Sequence, residues 1–256
     1  MNNFHVALPT AFDDNEQLNI KKTIEHAKRL IAQDVNAFLF CGSTGEQHSL
    51  DLEEKIELIR SIETTPDFDE VEVIFGVANI RLKHVQQLIE EINHSHAIDY
   101  ILLGFPPYIL PSQEDIKVYV TKASELSEKP IILYNNPKRT GFELHSETFL
   151  KLAKLENIAG LKEAGNPTNV SKYKAVVRKD FAFFVGGEVD LQDKISLGYT
   201  HLSSILGNKY PKEVKKYFET GVDENDLLKV EISRYQFSKM KKELGLGICR
   251  APLGIS

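Results

Sequence analysis

Apolar residues along the 256-residue chain fall into short runs separated by longer stretches in which they recur every three or four positions. The short runs are rich in β-branched and aromatic residues and end at turn residues, as buried strands do. The longer stretches carry the period of helices packed on one face. Eight runs predict strands: His5–Thr10, Ala37–Cys41, Val71–Val77, Tyr100–Gly104, Pro130–Tyr134, Ile158–Lys162, Ala182–Gly186 and His201–Ile205, each followed by a predicted helix. Strands alternating with helices form repeated βα units on a parallel sheet. Eight such units in a chain of this length close more naturally into a (β/α)8 TIM barrel than into an open sheet. Two helix starts are marked by caps: Ser112 before Gln113 and Glu114, and Ser146 before Glu147. In each, a side-chain oxygen is placed to accept from free backbone N–H groups and acids favour the positive end of the dipole. Beyond the eighth unit the pattern predicts one long helix from Asp223 to Leu244. The expected organisation is an α/β barrel over residues 1–220 with a short helical tail over 221–256 packed on it.

Composition narrows the function classes. A 42% hydrophobic content suffices for a sizeable core. A net charge of −6, from 31 basic and 37 acidic residues without a long basic run, speaks against nucleic acid or an anionic membrane surface as a partner. No apolar stretch approaches the roughly 18 residues of a membrane span, and the start MNNFHVALPT lacks the n- and h-regions of a signal peptide, so a cytoplasmic protein is expected. Cys41 and Cys249 lie at opposite ends of the chain and read as reduced thiols. His94 and His96 form a close pair without a third ligand at zinc spacing, so no metal site is expected.

In a barrel the chemistry sits at the carboxyl ends of the strands, and those ends stand apart here. Strand six ends in Gly160-Leu161-Lys162-Glu163-Ala164, where alternation puts Gly160 and Lys162 on one face and Leu161 and Glu163 on the other. An inward lysine loses hydration. Lowering its pKa by about 3 units takes roughly 4 kcal/mol of ammonium destabilisation, within reach of burial, and yields a neutral amine able to attack a ketone. On position alone, a lysine whose head reaches water from the strand end is the commoner arrangement. Strand two ends in Gly42-Ser43-Thr44-Gly45-Glu46, whose hydroxyls and approachable N–H groups suit a small carboxylate but also suit an ordinary helix-capping turn. Tyr134 ends the strand beside that of Lys162, where a phenol can relay protons or simply close the barrel top. Arg139, in the following Asn-Pro turn, is either a fork for a second carboxylate or an exposed loop residue.

Together, Gly42-Ser43-Thr44-Gly45-Glu46, Pro107-Tyr108 followed by Pro111-Ser112, Tyr134-Asn135-x-Pro-x-Arg139-Thr140-Gly141 and Gly160-Leu161-Lys162-Glu163-Ala164 resemble, in order and spacing, the dihydrodipicolinate synthase / N-acetylneuraminate lyase family. The resemblance implies a class I aldolase-type barrel that forms an imine with pyruvate or another 2-oxo acid, without a metal or dissociable cofactor. It implies Lys162 as the Schiff-base lysine, Tyr134 as proton relay, Ser43 and Thr44 on the pyruvate carboxylate with Thr44 extending the relay, and Gly187 and Ser203 in the substrate-binding wall. Tyr108 resembles the tyrosine that members lend across a subunit interface, which implies a homodimer or homotetramer. Arg139 and the Lys162-Glu163-Ala164 string resemble the synthase branch, which condenses pyruvate with aspartate semialdehyde toward lysine biosynthesis. Alternatives within the resemblance are an N-acetylneuraminate lyase, a 2-oxo sugar-acid aldolase or dehydratase, and a non-enzymatic barrel that binds a 2-oxo acid. The chain ends sooner than typical members, which implies a shortened C-terminal helical extension.

Overall fold

The computed structural model describes residues 1–250. Eight parallel strands, β1 (Phe4–Ala7), β2 (Ala37–Phe40), β3 (Glu72–Val77), β4 (Tyr100–Gly104), β5 (Ile131–Asn135), β6 (Ile158–Glu163), β7 (Ala182–Gly186) and β8 (His201–Ser204), close into a barrel in sequence order. Closure is made by β8 pairing with β1, with Phe4 opposite Leu202 and Val6 opposite Ser204. The helices are α1 (Ile20–Ile31), α2 (Leu52–Glu63), α3 (Leu82–Asn93), α4 (Gln113–Leu126), α5 (Pro137–Thr140), α6 (Ser146–Leu152), α7 (Asn169–Lys174), α8 (Leu191–Ser196), α9 (Pro211–Thr220), α10 (Leu227–Ser233) and α11 (Phe237–Glu243). The fold is therefore a (β/α)8 TIM barrel with a short C-terminal helical extension, and residues 251–256 of the expected tail lie outside the described residues. Among the described residues no helix is long and apolar enough to cross a membrane.

The strand alternation divides the core into two layers. Inward side chains, among them Ala7, Leu39, Ile74, Leu102, Ile132 and Phe184, fill the barrel lumen as one buried cluster. Outward residues such as Phe38, Phe75, Ile101, Leu133 and Leu161 pack beneath the helices in a larger cluster. Where a strand is covered by apolar neighbours on both faces, as β2 and most of β4 are, its sequence reads as a continuous apolar run. At about 25 cal/mol per Å² of apolar surface, burial on both faces is the main force holding the strands in register.

Two local expectations are corrected. Ser112 caps α4 as predicted, in a capping box whose reciprocal partner is Asp115. Ser146, by contrast, is already inside α6, whose cap residue is His145, and its hydroxyl meets the Tyr173 hydroxyl at 2.9 Å. The predicted helix from Asp223 to Leu244 is broken: α10 ends at Ser233 and α11 starts at Phe237, with Gln236 extended at φ −138° and ψ 116°. The apolar stripe explains the break. Leu228 and Ile232 keep helical spacing, but the next buried residues are Phe237, Met240 and Lys241, out of phase with that stripe, so an unbroken helix would leave one set facing solvent.

Gly76 on β3 lets the end of β2 approach closely. A β-carbon there would stand 2.1 Å from the Cys41 carbonyl oxygen and 3.1 Å from the Gly42 nitrogen, both backbone atoms that cannot swing away. Gly76→Ala should destabilise the protein by about 1–3 kcal/mol through this overpacking. Urea unfolding checks it, and a midpoint equal to that of the native chain would show that the approach is not tight.

Candidate active site

Lys162 sits near the end of β6 with its neighbours fixed by register, Tyr134 on one side and Phe184 on the other. Only 8% of the residue is exposed. Gly186 leaves room for it, since a β-carbon there would come within 3.0 Å of the Lys162 Cε. Burial, reinforced by the Arg139 charge, pushes the Lys162 ammonium below its ordinary range against the opposing pull of Tyr134 and Glu188. The buried lysine expected from alternation is thus present, and the water-reaching arrangement is not. Its Nζ lies 5.1 Å from the centre of the Tyr134 ring.

Tyr134 is the organising phenol. Burial alone would raise its pKa, but the Lys162 charge, hydrogen bonds with Ser43 and Asn136, and the Arg139 charge outweigh it and bring the hydroxyl below its ordinary value. Asn136 donates its amide to the phenol oxygen at 2.7 Å, and the Ser43 hydroxyl stands 3.4 Å away. Among the described residues Thr44 makes no hydrogen bond to Tyr134, although it is buried on the same turn. Ser43, Thr44, Tyr134, Arg139, Lys162, Gly187 and Ser203 all line one cavity of about 590 Å³ at the carboxyl ends of the strands. Arg139, carried by α5, is exposed at its mouth. The Gly187 amide donates to the Ser203 carbonyl at 2.9 Å, so this wall is built partly of backbone. Such an arrangement combines an amine of lowered basicity, a phenol of raised acidity and a cationic fork.

Tyr108 is the predicted site residue that the chain does not bring to this cavity. It is 87% exposed, with a left-handed backbone at φ 74°, beside exposed Ile109 and Leu110. Among the lining residues that escaped the sequence reading, three shape the cavity. Asn136 followed Tyr134 as an apparent turn residue. Tyr235 reaches the wall only because the chain breaks between α10 and α11. Glu188 turns inward: one of its oxygens accepts from the Ser204 hydroxyl at 2.5 Å and from the amides of Ile205 at 2.9 Å and Leu206 at 3.1 Å, tying β7 to β8. The out-of-phase apolar stripe was the signal available for Tyr235. No comparable signal marked Asn136.

The sequence model of the dihydrodipicolinate synthetase family matches residues 1–246. The chain belongs to this family. It is 25% identical to the 4-hydroxy-tetrahydrodipicolinate synthase of Lactobacillus acidophilus, in an alignment covering 96% of this chain and 85% of that protein. Among solved structures, dihydrodipicolinate synthase from Bacillus anthracis superposes with a TM-score of 0.85 at 24% identity, over 98% of this chain and 91% of that one. CdNal from Clostridium difficile, solved with mannosamine, superposes with a TM-score of 0.87 at 22% identity, over 98% of this chain and 92% of that one. The same barrel fold thus serves proteins of different names, and the branch must be read from the site.

Behind Lys162, on the opposite face of the family barrel's sixth strand, Glu163 is 3% exposed. It accepts from the Asn135 amide at 2.9 and 3.0 Å and from the Gly165 N–H at 2.6 Å. Burial nonetheless outweighs these bonds and raises its carboxyl from 4.5 to about 7. The folded state therefore holds this proton more tightly than the unfolded chain between those two values. The stability it contributes is complete below the unfolded pKa and is lost as pH rises toward about 7. Glu163→Gln, which cannot titrate, should remove from the pH–stability curve a decline on the order of 3 kcal/mol. Urea titrations from acidic to neutral pH measure it, and an unchanged slope would mean that folding leaves the pKa of this carboxyl where it is in the unfolded chain.

Proposed function

We propose that the protein is a Schiff-base-forming, pyruvate-dependent lyase of the 4-hydroxy-tetrahydrodipicolinate synthase type, condensing pyruvate with aspartate semialdehyde. The observation that carries this reading is the buried Lys162 ammonium, of lowered pKa, beside the Tyr134 phenol, also lowered. The names of the relatives at 25% identity and above support the same class.

In this mechanism the neutral Lys162 amine attacks the pyruvate carbonyl carbon, and Tyr134 delivers a proton to the carbonyl oxygen as the carbinolamine forms. Loss of water leaves the protonated imine. Ser43 and Thr44 hold the pyruvate carboxylate through hydroxyls and the backbone of their turn. The iminium then acidifies the methyl group. Removal of one methyl proton by the Tyr134 phenolate gives an enamine, whose carbon attacks the aldehyde carbon to form the new carbon–carbon bond while the aldehyde oxygen takes that proton back. The amine of the semialdehyde unit then displaces Lys162 from the imine carbon and frees it for the next turnover. Arg139 at the mouth pairs with the carboxylate of the semialdehyde. Asn136 holds the phenol in one orientation through its 2.7 Å bond. The reading also makes Tyr108, with Ile109 and Leu110, part of a contact between copies in a homodimer or homotetramer, and their exposure supports it.

A second reading runs the same imine as cleavage of a 2-oxo sugar acid. The cavity volume of about 590 Å³ favours it, because that lies within the range that encloses a drug-sized ligand.

Borohydride reduction in the presence of pyruvate should leave a reduced pyruvyl group on the peptide containing Lys162, and Lys162→Arg should abolish it. Mass spectrometry showing no adduct, or one on another lysine, would sink the imine mechanism. Arg139→Ala separates the two readings. Pyruvate trapping should stay near the native level, while kcat/KM for aspartate semialdehyde falls at least tenfold, about 1.4 kcal/mol of transition-state binding. Full activity of the mutant with the semialdehyde, or turnover of a sugar acid alone by the native chain, would remove the synthase assignment and leave the imine-forming lyase.

A further inference from the structure

Behind the Ser43–Thr44 turn, away from the cavity, two fully buried charges meet. The Lys241 Nζ of α11 donates to Glu46 Oε1 at 2.6 Å, and neither residue has any exposed surface. The backbone N–H of Arg250 donates to the other Glu46 oxygen at 2.9 Å. Both cations also pack on Phe12, with Lys241 Nζ 4.5 Å and the Arg250 guanidinium 4.2 Å from the ring centre. Arg250 in turn grips both oxygens of Glu54 at 2.7 Å and the Ser49 carbonyl at 3.0 Å, so the segment after α11 is held against the chain that follows the turn.

Stability alone is a poor reason for such a pair, because desolvating two charges offsets most of their attraction and apolar replacements are often neutral. The backbone supplies a better reason. Glu46 has φ 52°, a left-handed conformation that is uncommon for residues other than glycine, here in a side chain with no exposed surface. Its amide closes the turn by donating to the Ser43 carbonyl at 3.1 Å, and the Gln47 amide donates to the Gly42 carbonyl at 3.2 Å. Thr10 fixes the middle of the turn through a 2.7 Å bond to the Gly45 carbonyl. The exit is fixed by the Glu46 side chain.

We propose that Lys241 and Arg250 are positioning residues for the 2-oxo-acid carboxylate site: through Glu46 they hold the turn in the conformation that presents Ser43 and Thr44. The inference rests on the pyruvate reading above. It extends the functional site to residues some two hundred positions away in sequence, in the C-terminal extension.

The test is borohydride trapping by the full chain, titrated with pyruvate. Lys241→Met alone takes the ammonium away from a fully buried carboxylate and threatens folding. The decisive variant is therefore Lys241→Met combined with Glu46→Gln, which replaces both charges by neutral groups of similar shape. The pyruvate concentration giving half-maximal trapping should rise at least tenfold. Adduct yield at saturating pyruvate, and KM for the aldehyde, should stay within twofold of native. If the double variant does not fold, Glu46→Gln alone must raise the half-maximal concentration at least threefold. A native half-maximal concentration in the folded variant overturns the proposal, as does a loss of yield with that concentration unchanged, which would assign the pair to folding only. Absence of a Lys162 adduct in the unsubstituted chain overturns the pyruvate reading itself, and that is seen before any variant is made.

Discussion

The site depends on one costly arrangement, a lysine ammonium withdrawn from water at the carboxyl edge of a closed barrel. Eight strands paired without a free edge fill the lumen mostly with apolar side chains, so the charged form of Lys162, flanked by Tyr134 and Phe184, has lost most of its contact with water. The same desolvation that destabilises the ammonium makes the neutral amine accessible. Tyr134 gains from the converse effect, because whatever positive charge remains on Lys162 stabilises its phenolate. A single electrostatic environment thus favours a neutral amine beside an acidic phenol, the pairing that the proposed imine chemistry calls for.

Small and polar residues around the pair keep that environment workable. Gly186 leaves space for the lysine stem, and Gly76 lets the turn after β2 settle close to β3. Asn136 and Ser43 hold the phenol oxygen, while Asn135 and Glu163 satisfy each other on the back of the same strands. Buried polar groups are tolerable only when paired, and the Asn135–Glu163 pair runs from β5 to β6, so it also fixes their relative heights.

The C-terminal extension is short yet closely joined to the barrel. Its two helices are separated so that Tyr235 enters the cavity wall, Phe237 and Met240 pack against Ile205, Leu244 and Cys249, and Lys241 turns toward Phe12 and Glu46. Helical propensity favours continuity, but burying two out-of-phase stripes yields more apolar contact than the few backbone hydrogen bonds lost at the break. The extension thereby touches the site region from behind the turn as well as from the side of the cavity.

Much of this was legible in the linear chain. The eight strands follow from apolar runs at regular spacing, because a parallel strand covered on both faces has to be apolar throughout, and the inward direction of Lys162 follows from the period of two along β6. The grouping of Ser43, Tyr134, Arg139 and Lys162 follows from their places at strand ends, since a closed parallel barrel brings all such ends together. Other features belong to tertiary structure alone. Asn136 meets the Tyr134 phenol only through the fold-back of its turn, and Ser146 leaves its capping role for Tyr173 because a neighbouring helix offers a partner. The Glu46–Lys241 pair joins positions 195 residues apart. Local patterns encode which face of an element is apolar, and that settles strands, helices and their order. Which distant polar groups finally meet is decided by the three-dimensional closure of the barrel, because a hydrogen bond or ion pair is specified by distance and direction in space and leaves no period in the sequence.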